Sequence, residues 1–237
     1  MLTLHRAALV LPDPADPAAP SFADGAVVVR GERVEAVGPY AELAAAHPEA
    51  RVRDWGAAVL TPGLRNPHGQ RLLERDYHPD PREEIGVEPV ADGLVGSGGS
   101  ADEARCGASA RRGLQRMLGF GVTAVAGPFE RASVRTAVAR SGLVVLPGGG
   151  VSGGVASGGA GALGGAGALD GAGTPVGAEV LDPLAGLPLA RAVYGRVTVG
   201  GRADFAVFAA AGESGAEPLP GGCLATVLGG RLVYRRR

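Results

Sequence analysis

The residues with the most chemistry to offer lie between His68 and Glu84. His68 and Gln70 stand one residue apart, and Glu74, Asp76, His78, Asp80, Glu83 and Glu84 follow at short intervals. Imidazoles among carboxylates are the donors that hold a divalent cation and turn a bound water into a nucleophile. The spacing argues against convergence, however. Pro79 and Pro81 make the stretch an extended surface segment, in which residues two apart point the same way without meeting. Gln70 is a poor zinc ligand, because a neutral amide oxygen binds far more weakly than an imidazole nitrogen.

The other chemistry-bearing side chains are few. His5 falls in a strand and His47 at a helix end, where a partly exposed, hydrogen-bonded imidazole is expected. Cys106 lies in a helical stretch and Cys223 at a strand start, far apart, so they suggest neither a disulfide framework nor a thiolate zinc site. Both read as buried structural thiols, suited to a reducing cytoplasm. All 23 basic residues are arginine. The missing lysine excludes a Schiff-base lysine, a phosphate-loop lysine and a carboxylated metal-bridging lysine together.

Charge excludes further classes. The formal net charge is -1, and no basic stripe interleaved with aromatics occurs, so the footprint of a nucleic-acid binder is missing. The run Arg235–Arg237 reads as a solvated, frayed end. Met1 to Leu11 is apolar but broken by His5 and Arg6 and ended by Pro12, too short for a signal peptide or a membrane span. A cytoplasmic protein without membrane attachment is the expectation.

The elements that must position these residues change character along the chain. Up to Leu64, short apolar runs alternate with turns. Ala26–Val29 and Arg33–Val37 read as a hairpin around Gly31, Tyr40–His47 as a short helix, and Arg51–Asp54 and Ala57–Leu60 as two more strands. Ala101–Phe120 then carries a helical stripe at Ala104, Ala108, Leu114, Met117 and Leu118. The strand Val122–Ala126, the helix Ser133–Arg140 and the strand Leu143–Leu146 form a βαβ unit with parallel strands. From Gly148 to Pro175 nearly every residue is Gly, Ala or Ser, which predicts a flexible linker. Strands return at Arg196–Val199 and Asp204–Phe208, followed by a surface loop at Ala211–Gly222 and a hairpin of Cys223–Leu228 with Leu232–Tyr234.

Several motifs, taken in order, resemble one family. Asp24-Gly25 to Val37-Gly38 and Leu60-Thr61-Pro62-Gly63-Leu64-Arg65-Asn66-Pro67-His68 are similar to the lead into an amidohydrolase barrel. Gly119-Phe120-Gly121-Val122-Thr123-Ala124-Val125 matches its second barrel strand. Gly200-Gly201-Arg202-Ala203-Asp204 and Ala225-Thr226-Val227-Leu228-Gly229-Gly230-Arg231-Leu232-Val233-Tyr234 are similar to its closing strands. The nearest flavour is aminodeoxyfutalosine deaminase and imidazolonepropionase. The resemblance implies that the two chain ends meet in a composite β-sandwich beside a barrel. It also implies a metal held by a His-x-His pair, by later histidines and by an aspartate.

In those terms His68 fills the first ligand position and Gln70 replaces the second. No histidine follows His78. A closed eight-stranded barrel takes roughly 200 residues or more, whereas about 80 positions separate His68 from the Gly-rich run. The expectation is therefore an α+β protein. A composite β-sandwich is built from residues 1–65 and 187–237, a truncated βα remnant of a TIM barrel from 66–147, and a linker from 148–186. The expected function is a degenerate, non-catalytic binding or assembly module with no catalytic residues, metal or cofactor. Its open remnant is expected to pair in a homodimer or with a protein partner, through the apolar face of Ala101–Phe120. The alternative is a zinc-dependent hydrolase of non-peptide carbon–nitrogen bonds, of the deaminase or imidazolonepropionase type, using His68, His78 and Asp76.

Overall fold

The computed structural model describes residues 1–95, 99–147, 181–211 and 217–236. The Gly-rich run predicted as a linker lies, from 148 to 180, outside the described residues.

The fold is α+β. The N-terminal part supplies strands β1 (Leu2–Val10), β2 (Phe22–Arg30), β3 (Arg33–Pro39), β4 (Arg51–Asp54) and β5 (Ala58–Pro62), with helix α1 (Tyr40–Ala46) between β3 and β4. The C-terminal part supplies β9 (Phe205–Ala211), β10 (Glu217–Leu228) and β11 (Arg231–Arg235). These eight strands share one sheet in the order β11-β10-β9-β5-β1-β2-β3, with β4 also paired to β1. The two parts join where β5 runs antiparallel to β9, with Ala58 opposite Ala209 and Pro62 opposite Phe205. The sequence leads to a sandwich, and what the hydrogen bonds make from the two ends is one continuous sheet.

Side-chain alternation explains why its strands read as unbroken apolar runs. In β9, Phe205 and Val207 enter a core with Val27, Val29, Leu60 and Val227. Its alternate residues Ala206 and Phe208 enter a second core on the opposite face. In β2, Val27 and Val29 take the first core, while Ala26 and Val28 pack with Leu4 under Leu43 of α1. A strand buried on both faces has no polar side to display. The sheet also curls, bringing the β2–β3 turn to the β10–β11 turn. Gly229 and Gly230 both adopt positive φ, at 54° and 72°, the geometry of a tight two-residue hairpin. A Cβ on Gly230 would sit 2.0 Å from the Gly31 carbonyl oxygen, so the two turns abut and tolerate no side chain there.

Between the two ends lies a three-stranded parallel sheet, β6 (Leu64–Asn66), β7 (Val122–Ala126) and β8 (Val144–Leu146), in that order. Its helices are α2 (Gly69–Glu74), α3 (Ser100–Gly119) and α4 (Ala132–Ser141), followed after the undescribed run by the short α5 (Pro183–Gly186) and α6 (Leu189–Ala192). The βαβ unit is as expected, yet β7 and β8 differ. All five residues of β7 are buried, whereas β8 is an edge with Val145 50% exposed. The other edge, β6, is covered by the segment after α6, through Tyr194 N–H to the Gly63 carbonyl and a bridge from Leu64 to Val193. The two sheets meet through α3, where the Thr226 hydroxyl donates to the Leu118 carbonyl at 2.6 Å.

Several expectations need correction. Arg196–Val199 is not a strand. It makes single bonds, such as Val197 N–H to the Pro12 carbonyl, because Gly195 and Gly200 turn the chain on either side. The surface loop expected at Ala211–Gly222 is shorter, since β9 runs to Ala211 and β10 already begins at Glu217. Cys223 consequently sits inside a strand rather than at its start. Residues 181–184, expected as linker, are packed, with Leu181 fully buried and the Asp182 carboxylate accepting from Leu184 N–H and Gly221 N–H. The apolar stripe of α3 is spent inside the chain. Leu114 and Met117 are buried in the second core together with α4, and Ala104 is exposed.

Candidate functional site

In a parallel βα layer the side chains that do chemistry gather beyond the carboxyl ends of the strands. Here β6 runs into Asn66, Pro67 and His68, and β7 runs into the Gly127–Arg131 connection to α4. The Asn66 side chain accepts from His68 N–H at 2.8 Å, an Asx turn that breaks the strand and starts α2 with His68 at its N-cap. The cavity beyond these ends, about 610 Å³, is lined by Gln70, Arg71, Glu74, Arg75, Glu130 and Arg131 among others.

His68 is exposed, with its pKa below the ordinary imidazole value because of partial desolvation and then the nearby Arg71 guanidinium. Gln70 follows on the first turn of α2. The position that the resemblance assigns to a first ligand thus holds an imidazole at the surface beside an amide.

The acidic stretch behind them is not the extended surface segment expected. Glu74, Asp76 and His78 are buried, because α2 and a turn of 3-10 helix at Pro81–Glu83 fold the stretch against α3. Each group has a separate structural partner. Glu74 Oε1 accepts from Arg131 N–H at 2.7 Å, holding the start of α4. Asp76 Oδ1 accepts from Asp92 N–H, and Oδ2 lies 3.7 Å from Arg71. Asp80 and Glu83 form a capping box over the 3-10 turn. Glu83 also accepts from the Tyr77 hydroxyl at 2.5 Å, which is the first cause of its lowered pKa. Glu84 is exposed at a positive φ of 55°.

His78 is the most enclosed of these groups. Its Nε2–H donates to the Leu72 carbonyl at 2.8 Å, its backbone N–H donates to Ser109 Oγ, and its carbonyl accepts from Arg112. A Cβ on Gly113 would lie 2.6 Å from Nε2, so α3 approaches the ring at a point where only glycine fits. Burial lowers the pKa of His78, and Nδ1 has no partner among the described residues. Leaving such an acceptor dry costs about 1–3 kcal/mol. His78 is therefore a strut between α2 and α3.

The structure does not bring His68, Asp76 and His78 together as ligands. Among the described residues no three His, Cys, Asp or Glu side chains are grouped to hold a metal ion. The donors at the carboxyl ends of β6 and β7 do not fit the divalent centre that the resemblance implies.

The remaining candidates are also placed. His47 caps the end of α1, as expected. His5 is in a strand but 1% exposed rather than partly exposed. It lies edge-on to Phe205 and accepts from Trp55 Nε1–H at 3.4 Å, and burial and then Arg53 push its pKa down to about 3. Both thiols are buried, Cys106 with an Arg131 N–H 3.1 Å from its sulfur and Cys223 raised by burial to about 11. Asp182, a buried acid, and Asp204, a partly buried one, have structural roles that the sequence does not reveal. Asp204 Oδ1 accepts from Gly229 N–H at 2.6 Å, so the Ala-Asp pair of the closing motif clamps the β10–β11 turn. No helix among the described residues is long and apolar enough to cross a membrane.

Comparison with known proteins agrees with the composite segment. A family model, the imidazolonepropionase-like composite domain of bacteria, matches residues 25–50, the span of β2, β3 and α1. Imidazolonepropionase of Erwinia tasmaniensis is 32% identical over 111 residues, covering 43% of this chain and 27% of that protein. The chain thus spans about a quarter of the curated relative it matches. Among solved structures, A. niger ochratoxinase is similar at a TM-score of 0.43 and 22% identity, covering 62% of this chain and 31% of that one. Helicobacter pylori aminofutalosine deaminase is similar at 0.39 and 18%, covering 62% and 33%. The likeness to imidazolonepropionase-type amidohydrolases read in the sequence holds.

Proposed function

We propose that this chain, whose composite segment is imidazolonepropionase-like, is a degenerate amidohydrolase-like protein that serves as a binding or assembly module and does not hydrolyse carbon–nitrogen bonds. One observation carries the reading. Where the resemblance calls for convergent ligands, His68 stands at the surface beside Gln70, and Glu74, Asp76 and His78 are each committed to backbone groups. A water is deprotonated near neutral pH only where several ligands hold the metal in a fixed, open geometry. In this reading the curled sheet is the composite sandwich, and the β6–β8 layer is a barrel cut short.

The partner surface follows from the edges. With the α3 stripe buried, the edge of β8, unpaired among the described residues, and the exposed Val145 are where a second copy or another protein would pair.

Elemental analysis of the purified chain tests the reading, alongside ring opening of an imidazolone, followed by loss of its ultraviolet absorbance, and ammonia release from an amino-purine. The expected result is less than a tenth of an equivalent of zinc, iron or nickel per chain, no turnover, and no gain of either in Gln70→His, because two imidazoles alone make a solvent-competed site. Close to one equivalent of metal with measurable turnover would overturn it.

A further inference from the structure

Within the arginine run expected to fray, Arg235 and Arg236 are held in place. Arg235 is the last residue of β11, with its guanidinium 5.8 Å from the centre of the Trp55 ring, and Arg236 N–H donates to the Leu224 carbonyl at 2.8 Å. Trp55 follows β4, where Arg51 and Arg53 stand two apart and so project to the same face of the strand. Between β4 and β11 opens a cleft of about 440 Å³, lined by Arg51, Arg53, Asp54, Trp55 and Arg235 among others.

Three guanidiniums therefore border one cleft. Among the described residues Arg51, Arg53 and Arg235 form no ion pair. Asp54, the one acid in the lining, is already taken, accepting from Arg6 at 3.1 Å and from Gly56 N–H at 2.8 Å. Arg6 is shared in turn with Asp24 at 2.7 Å. Counting Arg6 with its two acids against the three arginines, the cleft and its rim keep two positive charges in excess. The crowding is felt at Arg53, whose pKa is depressed by burial and then by Arg51 and Arg235. His5, stacked on Trp55 at 6.1 Å, adds no further positive charge, because burial keeps it neutral down to about pH 3.

Like charges held together in a partly enclosed cleft destabilise the chain unless something of opposite sign enters. Guanidinium forks bind tetrahedral oxyanions through paired, charge-assisted hydrogen bonds, and a doubly charged ligand would balance the excess that a carboxylate only halves. We propose that the cleft between β4 and β11 is a binding site for a dianionic oxyanion, a phosphoryl group free or borne on an ester, gripped by Arg51, Arg53 and Arg235. The face of Trp55 is already covered by Arg235, so recognition rests on the charged group rather than on a ring attached to it. The site is remote from the carboxyl ends of β6 and β7 and does not depend on the reading of that cavity.

The test is calorimetric titration of the full chain with inorganic phosphate, with glycerol 3-phosphate and with acetate, at about pH 7.5, where the phosphates are mostly dianionic. Ionic strength is held constant with chloride. Both phosphates are expected to bind one per chain and acetate at least about tenfold more weakly, with Arg53→Gln losing about tenfold or more in phosphate affinity. Tighter binding of the ester assigns the site to a phosphorylated metabolite, and tighter binding of the inorganic ion assigns it to free phosphate. Arg53→Gln should melt at or above the wild-type temperature in phosphate-free, low-salt buffer, since it relieves repulsion, which separates lost binding from lost folding. Arg140→Gln, an exposed arginine on α4, should bind as the wild type does. Phosphate heats no larger than those of chloride, or an Arg53→Gln variant that binds phosphate as tightly as the wild type, would overturn the proposal.

Discussion

The two sheets of this molecule are made from similar apolar strands and reach different ends. The eight-stranded sheet draws β1–β5 from one part of the chain and β9–β11 from the other, and both faces of β2 and β9 are covered. The three-stranded sheet has one edge covered by residues near Tyr194, and its other edge, β8, pairs with no further strand among the described residues. Its polar residues are also spent differently. In the composite sheet the Asp204 carboxylate clamps a turn, and in the βα layer the Glu74 carboxylate holds a helix start. Completeness of burial separates the regions more than residue type does.

The largest effect that would sharpen this contrast is a core truncation in each sheet. Phe205→Ala removes a fully buried ring from the composite core and should cost about 3–5 kcal/mol. Val145→Ala at the β8 edge should cost less than about 0.5 kcal/mol, because half its surface is already wet. Urea unfolding measures both, and equal costs would mean that β8 is covered in solution.

A smaller effect is expected from the acids. Asp204→Ala should lose about 1–3 kcal/mol by leaving Gly229 N–H unpaired inside the curled sheet. Asp80→Ala, which removes an exposed cap of the 3-10 turn, should lose about 0.5–1 kcal/mol. Reversal of that order would show that the βα layer is the more tightly held.

A further effect is graded with pH and reaches its full size only in acid. His5 is held neutral by burial, from an ordinary value of 6.5 down to about 3. A depressed folded-state value means that only the unfolded chain takes up the proton in that window. Stability is therefore full above about pH 6.5 and falls as the pH drops toward 3, by about 1.4 kcal/mol per pH unit. His78 shifts the same way, while the raised values of Asp182 and Asp204 act oppositely. The difference between wild type and His5→Phe isolates the first term, and parallel stability curves for the two proteins would show His5 charged inside the fold.

Much of this was legible from the sequence. The hairpin around Gly31, α1, β4, α3, the βαβ unit and the closing hairpin follow from turn residues and apolar period, and their bounds shift by a few residues, save the start of β10, which moves from Cys223 back to Glu217. The α3 stripe was read too narrowly, because Gly107, Ser109 and Gly113 also face inward and small residues carry no apolar signal. The site was harder. Prolines at 79 and 81 suggested an extended, wet segment, but Leu72 and Leu73 anchor α2 in the core and draw Glu74, Asp76 and His78 in after them. Alternation could not reveal that each of those groups would meet a backbone partner from a distant element. Nor could it place Arg235 beside Arg51 and Arg53, since only the curl of the sheet brings β11 near β4.

The ladder that joins β5 to β9 sets a constraint on how the molecule comes into being. It pairs Ala58 with Ala209, across roughly 150 residues of intervening chain. Closing so long a loop adds little to the equilibrium cost, but it slows the search for the native pairing. On a ribosome, β1 to β5 emerge well before Phe205 exists. During that interval one edge of β5 and the side chains of Val27, Val29 and Leu60 have no cover. A nascent N-terminal half then exposes an unpaired strand edge and apolar side chains, the two features that make a partly folded chain prone to aggregate.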